Sequence, residues 1–270
     1  MRALNYLFIF LLFLLGVCFG SFLCCQARRL HLKEKGKKLG NRSVCLNCGY
    51  KLKWYDNLPI LSWLFLRGRC RKCHQKIGLA EILSELGVGL AFTLPAVVMN
   101  LKFENLLASP IDFISFGLFL LYLLPLAFLA IYDGLYGELP SLCLTFSIIC
   151  AIMIVTLREW ADFSSFDILW QNLLNVFLAV LVLAGTYLVL YLVSKGKWVG
   201  DGDWLLALSL SLVLGSPWRA LLTLFLANFL ACLVMLPSAL KSKNKKIYFG
   251  PFLIVAFILI FIFPCDIISI

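Results

Sequence analysis

The chain has 270 residues, 62% of them apolar and 14% charged, with a net charge of +10. A soluble domain of this size carries about a quarter of charged residues as its polar coat, so this composition excludes an ordinary soluble enzyme. The basic excess does not require a nucleic-acid partner, because positive-inside topology and contact with anionic lipid account for it.

Eight apolar runs follow one another at about 4–25, 83–99, 111–131, 139–157, 173–193, 204–214, 220–236 and 249–263. They lack the polar stripe of a core helix, and most approach the roughly 20 residues that cross a bilayer as helix. The expected fold is an all-α polytopic membrane protein of about eight transmembrane helices. The first run has its heavy charge behind it, at Arg28 and Arg29, and bulky Val17 precedes Cys18. It therefore reads as a retained span with its N-terminus outside, and not as a removable signal or lipoprotein segment.

Residues 26–80 form a polar, basic, turn-rich loop. Together with the first span they make one predicted part, residues 1–82, and residues 83–270 make a helical bundle. Residues 33–40 read as a flexible, solvated stretch. The loop carries Cys45-Leu-Asn-Cys48 and Cys70-Arg-Lys-Cys73, with 21 residues between the pairs. Two such turns present four thiolates at tetrahedral corners, the geometry of one structural zinc ion. Gly49 after the first pair and Gly68 before the second suit tight knuckles. The alternative is a set of redox disulfides or unrelated thiols, which a cytoplasmic location disfavours. His31 and His74 read as solvated side chains. The other seven cysteines mostly lie in apolar runs, where the thiol acts as a small hydrophobe.

Basic residues orient the chain. Residues 28–76 hold 14 of the 24 Lys and Arg, against Glu34 and Asp56. Lys195 and Lys197 form a second cluster, and Lys241, Lys243, Lys245 and Lys246 a third. Eight spans place all three clusters on one side, which the positive-inside rule makes the cytoplasm. Gly215, Ser216 and Pro217 cut the sixth run short. The sixth and seventh runs are therefore expected to form a tight helical hairpin with Trp218 and Arg219 at the interface, and a seven-span arrangement with this pair partly re-entrant stays open.

Carboxylates are scarce in the bundle. Asp133 follows the third run, in Tyr132-Asp133-Gly134, and Asp203 precedes the sixth, in Gly200-Asp201-Gly202-Asp203. The predicted topology sets both at cytoplasmic helix ends. Two carboxylates brought close can share one proton, and such a pair suits peptide hydrolysis. The ionised member takes a proton from water, and the protonated one donates to the carbonyl oxygen and then to the leaving amine. Both residues can equally serve as interfacial helix caps. Asp201 reads as solvated and structural, with a substitute for Asp203 as its other reading.

These motifs resemble the type IV prepilin peptidases, membrane aspartyl proteases of the GxGD kind. Gly200-Asp-Gly-Asp203 is similar to the GxGD signature, and Asp133 with Leu139-Pro140 to the first aspartate motif. Cys45 to Cys48, Trp54 to Ser62, Leu66 to Cys73, Gly20-Ser21-Phe22 and Glu85 resemble the family's N-terminal part. The resemblance implies that Asp133 and Asp203 are catalytic and that Cys45, Cys48, Cys70 and Cys73 hold structural zinc. It implies a multi-pass enzyme of the bacterial inner membrane, with its site facing the cytoplasm. Such an enzyme removes the leaders of type IV prepilins and type II secretion pseudopilins. It implies also N-methylation of the new terminus from S-adenosylmethionine, the activity with which the cysteine loop is associated. This chain departs from the pattern at Leu205, at Cys24 and at Glu81-Ile82.

Three other readings stay open: a non-enzymatic scaffold whose zinc loop binds a partner, a proton-coupled transporter, and a peptidase of the same fold with another substrate. No glycine-rich strand–turn–helix unit offers a site for S-adenosylmethionine.

Overall fold

The computed structural model describes residues 2–36, 43–45, 47–98, 101, 103–161, 165–197, 199–241 and 248–262. The chain folds as α1 (Arg2–Glu34), a 3-10 turn (Trp54–Asn57), α2 (Leu61–Phe65), α3 (Leu79–Val98), α4 (Phe103–Ala108) and α5 (Pro110–Tyr136). It continues with α6 (Ser141–Ala161), α7 (Phe166–Ser194), α8 (Asp201–Leu214), α9 (Pro217–Lys241) and α10 (Gly250–Ile262). The protein is an all-α polytopic membrane protein. Six helices among the described residues are long and apolar enough to cross a bilayer. The other two apolar runs appear as the shorter α8 and α10. Residues 37–40, Met99, Lys243, Lys245, Lys246, Phe263 and Cys265, on which several sequence expectations fall, lie outside the described residues.

Helices outrun their apolar stretches wherever no breaker follows. α1 extends nine residues past Cys25, to Glu34, and a left-handed Gly36 follows it. α5 continues through Asp133 to Tyr136 and stops at left-handed Gly137, whose N–H bonds the Asp133 carbonyl. α7 starts at Phe166, ahead of its apolar run, because the Ser165 side chain caps it.

The chain divides into two compact units, residues 1–103 and 104–270. In the first, α3 lies along α1 at glycine distance. A Cβ on Gly16 would stand 2.8 Å from the Val88 carbonyl, and one on Gly20 2.5 Å from that of Ser84. Gly89 on α3 meets Val17 and Phe13 in return. Small residues four apart let two helix backbones approach this closely in a membrane.

In the second unit α8 is the central helix. Leu206, Ala207, Ser209 and Leu210 are fully buried, and the Ser209 hydroxyl pairs with that of Tyr122 on α5 at 3.1 Å. A left-handed Gly215 ends α8, with the Arg158 guanidinium against it, and Pro217 opens α9. The expected tight hairpin does not form. α8 packs chiefly on α7 and α6, and α9 on α10 and α7. The two-residue link turns the chain, but the apolar face of α8 is satisfied by earlier helices.

Candidate active site and candidate metal centre

In the first unit, the two CxxC turns repeat one local structure. Cys45 N–H bonds the Tyr50 carbonyl at 2.9 Å, and Gly49 N–H bonds that of Cys45 at 2.9 Å. Cys70 N–H bonds the Gln75 carbonyl at 2.9 Å, and His74 N–H bonds that of Cys70 at 3.0 Å. An antiparallel bridge closes each turn, Val44 with Lys51 and Arg69 with Lys76. The left-handed position is Gly49 (φ 68°) in one and His74 (φ 55°) in the other. The counterpart of Gly49 is thus His74, and Gly68 serves elsewhere, ending the turn after α2 with Trp63 against it.

The four cysteine sulfurs lie within 4.8 Å of one another. Cys45 to Cys73 is 3.9 Å and Cys48 to Cys70 is 4.0 Å. Sulfurs at 2.3 Å from a tetrahedral zinc stand about 3.8 Å apart, so the donor set fits one such ion. The electrostatics agree. The Cys48 amide holds the Cys45 thiol below its ordinary value, and the Gln75 amide, helped by Asn47, brings Cys73 down to about 6. At Cys48 the Tyr50 amide favours the thiolate, but burial and the neighbouring thiols outweigh it and push the group up to about 11. Thiolates formed at some corners oppose ionisation at another, and a bound cation relieves that conflict.

Asp56 braces the loop from inside, with a fully covered side chain. It accepts from Arg71 Nε at 2.7 Å, the Lys53 N–H at 3.1 Å and the Tyr50 hydroxyl at 3.4 Å. Burial alone raises its pKa, but the Arg71 hydrogen bond and charge, with the Lys53 amide, hold it below the usual carboxylate range. Arg71 also lies over the Tyr55 ring at 5.0 Å. Glu85 on α3, 7% exposed, accepts the Ile60 N–H at 2.6 Å and bonds Ser21 on α1. Gly20-Ser21 and Glu85, far apart in sequence, therefore meet at one junction with the loop. Ile60 there holds a left-handed φ of 60°, costly for a β-branched residue and sustained by that bond.

In the second unit, Asp133 occupies the last turn of α5, 5% exposed, and its Oδ2 accepts the Gly250 N–H at 2.8 Å. Gly250 opens α10, with Pro251 next, so the carboxylate faces a helix N-terminus, where unpaired amides favour an anion. A Cβ on Gly250 would stand 2.8 Å from that oxygen, so only glycine permits this approach. Asp203 lies in the first turn of α8 and its Oδ2 reaches back to the Gly200 N–H at 3.0 Å. Gly202 presses on Leu139, where a Cβ would stand 2.8 Å from the leucine Cβ. That contact joins the segment after Asp133 to the turn that holds Asp203. Tyr187 accepts the Asn228 side-chain amide at 3.3 Å and sets its ring against Phe249, the residue before Gly250. Asp201 and Glu138 are exposed beside this cluster.

The packing therefore brings the Asp133 and Asp203 segments together, and likewise the four cysteines. Gly250 escaped sequence reasoning. Its signal was Gly-Pro at the head of the last apolar run, a helix start whose amides need an acceptor.

Residues 14–99 match the family model described as Bacterial Peptidase A24 N-terminal domain. A prepilin leader peptidase/N-methyltransferase of Klebsiella pneumoniae is 33% identical over 222 residues, 80% of this chain and 89% of that protein. One of Pseudomonas putida is 27% identical over 286 residues, 92% and 88% respectively. One of Myxococcus xanthus (strain DK1622) is 46% identical over 86 residues, 32% of this chain and only 25% of that relative's length. No solved structure matches.

Proposed function

Since this chain belongs to the prepilin leader peptidase/N-methyltransferase family, we propose that it cuts the leaders from type IV prepilins and pseudopilins, with Asp133 and Asp203 as the catalytic pair. Cleavage takes place at the cytoplasmic face of the inner membrane. What supports the reading above all is the joining of Asp133 on α5 to the Asp203 turn on α8, with the Gly250 amide on the first carboxylate.

Each carboxylate has its Oδ2 engaged by a backbone N–H, from Gly250 and from Gly200. In this reading those amides fix the two groups and leave Oδ1 of each for water and the scissile carbonyl. The pair holds one proton. The ionised member removes a proton from the attacking water, and the protonated member donates to the carbonyl oxygen and afterwards to the new amine. A prepilin has a basic leader outside the bilayer and an apolar helix within it, so its scissile bond lies at the membrane face. Exposed Glu138 and Asp201 suit the basic leader, and charge reversal at both is expected to weaken its binding.

Cys45, Cys48, Cys70 and Cys73 would hold one structural zinc ion, whose part is to fold a loop too short to have a core of its own. The chain also methylates the freed N-terminus with S-adenosylmethionine, which supplies the methyl group when bound.

The test is to incorporate the zinc-loaded protein and a type IV prepilin into vesicles with S-adenosylmethionine, then weigh the pilin. The expected product lacks its leader and carries one added methyl on its first residue. A prepilin left whole contradicts the peptidase reading, and a shortened, unmethylated one contradicts the second activity alone.

A further inference from the structure

The segment between the two cysteine turns carries an apolar face that nothing among the described residues covers. Trp54 is 78% exposed and Phe65 83%, and Leu61 and Leu64 are more than half exposed. Leu61, Leu64 and Phe65 stand at i, i+3 and i+4 on α2 and share one side of it. The opposite side turns into the loop, where Trp63 packs on Gly68 with its indole nitrogen buried. We propose that the exposed face lies in lipid, in the leaflet that α1 and α3 share with the loop, which the basic clusters make the cytoplasmic one. The inference goes beyond the proposed peptidase and does not depend on it.

The height of α2 along α3 carries the argument. On α3, Leu79, Leu83, Leu86 and Leu90 are exposed, and steps of four, three and four keep them on one face. In a helix long and apolar enough to cross a bilayer, such a face meets lipid, and here it starts at the first residue. Ile60, just before α2, gives its N–H to Glu85 at 2.6 Å. Glu85 stands six residues beyond Leu79, about 9 Å along a helix that rises about 1.5 Å per residue. The start of α2 is therefore held beside the membrane helix, and not out in solvent beyond its end. That depth matches the roughly 5–10 Å to which interfacial helices bury their apolar faces.

The charges beside the face select lipid over protein. Arg67, at φ 50°, and Gly68, at φ 65°, turn the chain sharply after α2. The turn sets Arg67 and Arg69 on one groove with Phe65, and both guanidiniums are exposed. Among the described residues neither is paired with a carboxylate, whereas Arg71 is held by Asp56. Rings and leucines with arginines beside them suit the membrane interface, the apolar groups among acyl chains and the guanidiniums on lipid phosphates. A second copy of this basic loop would be repelled, and so would the basic leader of a prepilin. The apolar helix of a prepilin is the remaining protein occupant, and the experiment tells it from lipid.

The test uses the full-length, zinc-loaded protein in nanodiscs of phosphatidylcholine and phosphatidylglycerol that carry a diazirine on the acyl chain. After illumination, labelled peptides are mapped by mass spectrometry, with α3 as the internal reference. The expected result is label on residues 54–65 at a yield comparable to that on residues 79–90, and little on residues 43–51 and 70–76. Leu61→Ser with Phe65→Ser is expected to lower label on the segment at least about fivefold, given what burial of two large apolar side chains contributes, while Phe65→Trp keeps it. Zinc content and label on α3, read on each variant, separate lost insertion from a lost fold. A bare 54–65 segment beside a labelled α3 overturns the proposal. Label that disappears when saturating prepilin is added assigns the face to the substrate helix and overturns it too, as does label that falls when two copies share a disc. Equal label in phosphatidylcholine alone overturns the part given to Arg67 and Arg69.

Discussion

The four sulfurs of the first unit meet because two short turns, each closed by its own hydrogen bonds, face one another. The segments that carry the two carboxylates of the second unit are joined by packing, with Leu139 after α5 pressed on Gly202 of α8, and α10 supplying an amide to Asp133. The first site is local and small, with one internal brace at Asp56. The second rests on the rigid bundle around buried α8. A local site depends on its ion, and a packed site depends on its helices. The two should therefore fail separately.

The largest effect is expected from metal. Structural zinc contributes about 10–16 kcal/mol of apparent folding free energy in small domains of this kind. Chelation or Cys70→Ser should strip hydrogen-exchange protection from residues 43–77, while the helices of residues 104–270 keep theirs. A loop that stayed protected without metal would erase the contrast.

Next in size is Gly250→Ala. Its new methyl would enter the space of the Asp133 carboxylate, 2.8 Å away. A misplacement near 1 Å can cost about a hundredfold in rate, so cleavage should fall between tenfold and a hundredfold with zinc content unchanged. Unaltered cleavage would show that the α10 amide does not position Asp133.

Asp56→Asn should cost about 1–3 kcal/mol of loop stability, the range for unpairing a buried polar group. Partial exposure of Arg71 argues for the lower half. The folded pKa of Asp56 is depressed, so its contribution is complete above the ordinary carboxylate range. It is lost as the pH falls through the lowered folded value. Denaturation of the native loop and the variant should therefore converge in acid and differ at neutral pH.

The smallest change expected is a gain. His74 holds the left-handed position that glycine occupies in the first turn. His74→Gly should leave zinc bound and raise loop stability by about 1 kcal/mol. Loss of zinc would instead make His74 part of the metal centre.

Legibility followed the same division. The cysteine turns could be read directly, because CxxC spacing and nearby glycine are local signals. The repeat of Gly49 at His74 could not, because nothing in a histidine announces a left-handed backbone. The apolar runs located eight helices, and their true ends came from caps, at Gly137, Ser165 and Gly215. Asp133 and Asp203 stood out as carboxylates at the ends of apolar runs. Gly250 did not, because its role is a single backbone N–H delivered by packing. Glu85 could be noticed in the pattern, but its partners Ser21 and Ile60 belong to a junction that only the folded chain forms. The divergence of α8 from α9 was equally hidden, since a two-residue link fixes where the chain turns and not what each helix packs upon.

The most direct measurement is prepilin cleavage by zinc-loaded protein carrying Asp133→Asn or Asp203→Asn, changes that keep shape and remove the ionisable group. Loss of an acid–base group costs about 10²–10⁴-fold. The account predicts a fall of that size for each variant, with zinc content and helix content unchanged. Cleavage at the native rate by either variant would contradict the assignment of the aspartate pair.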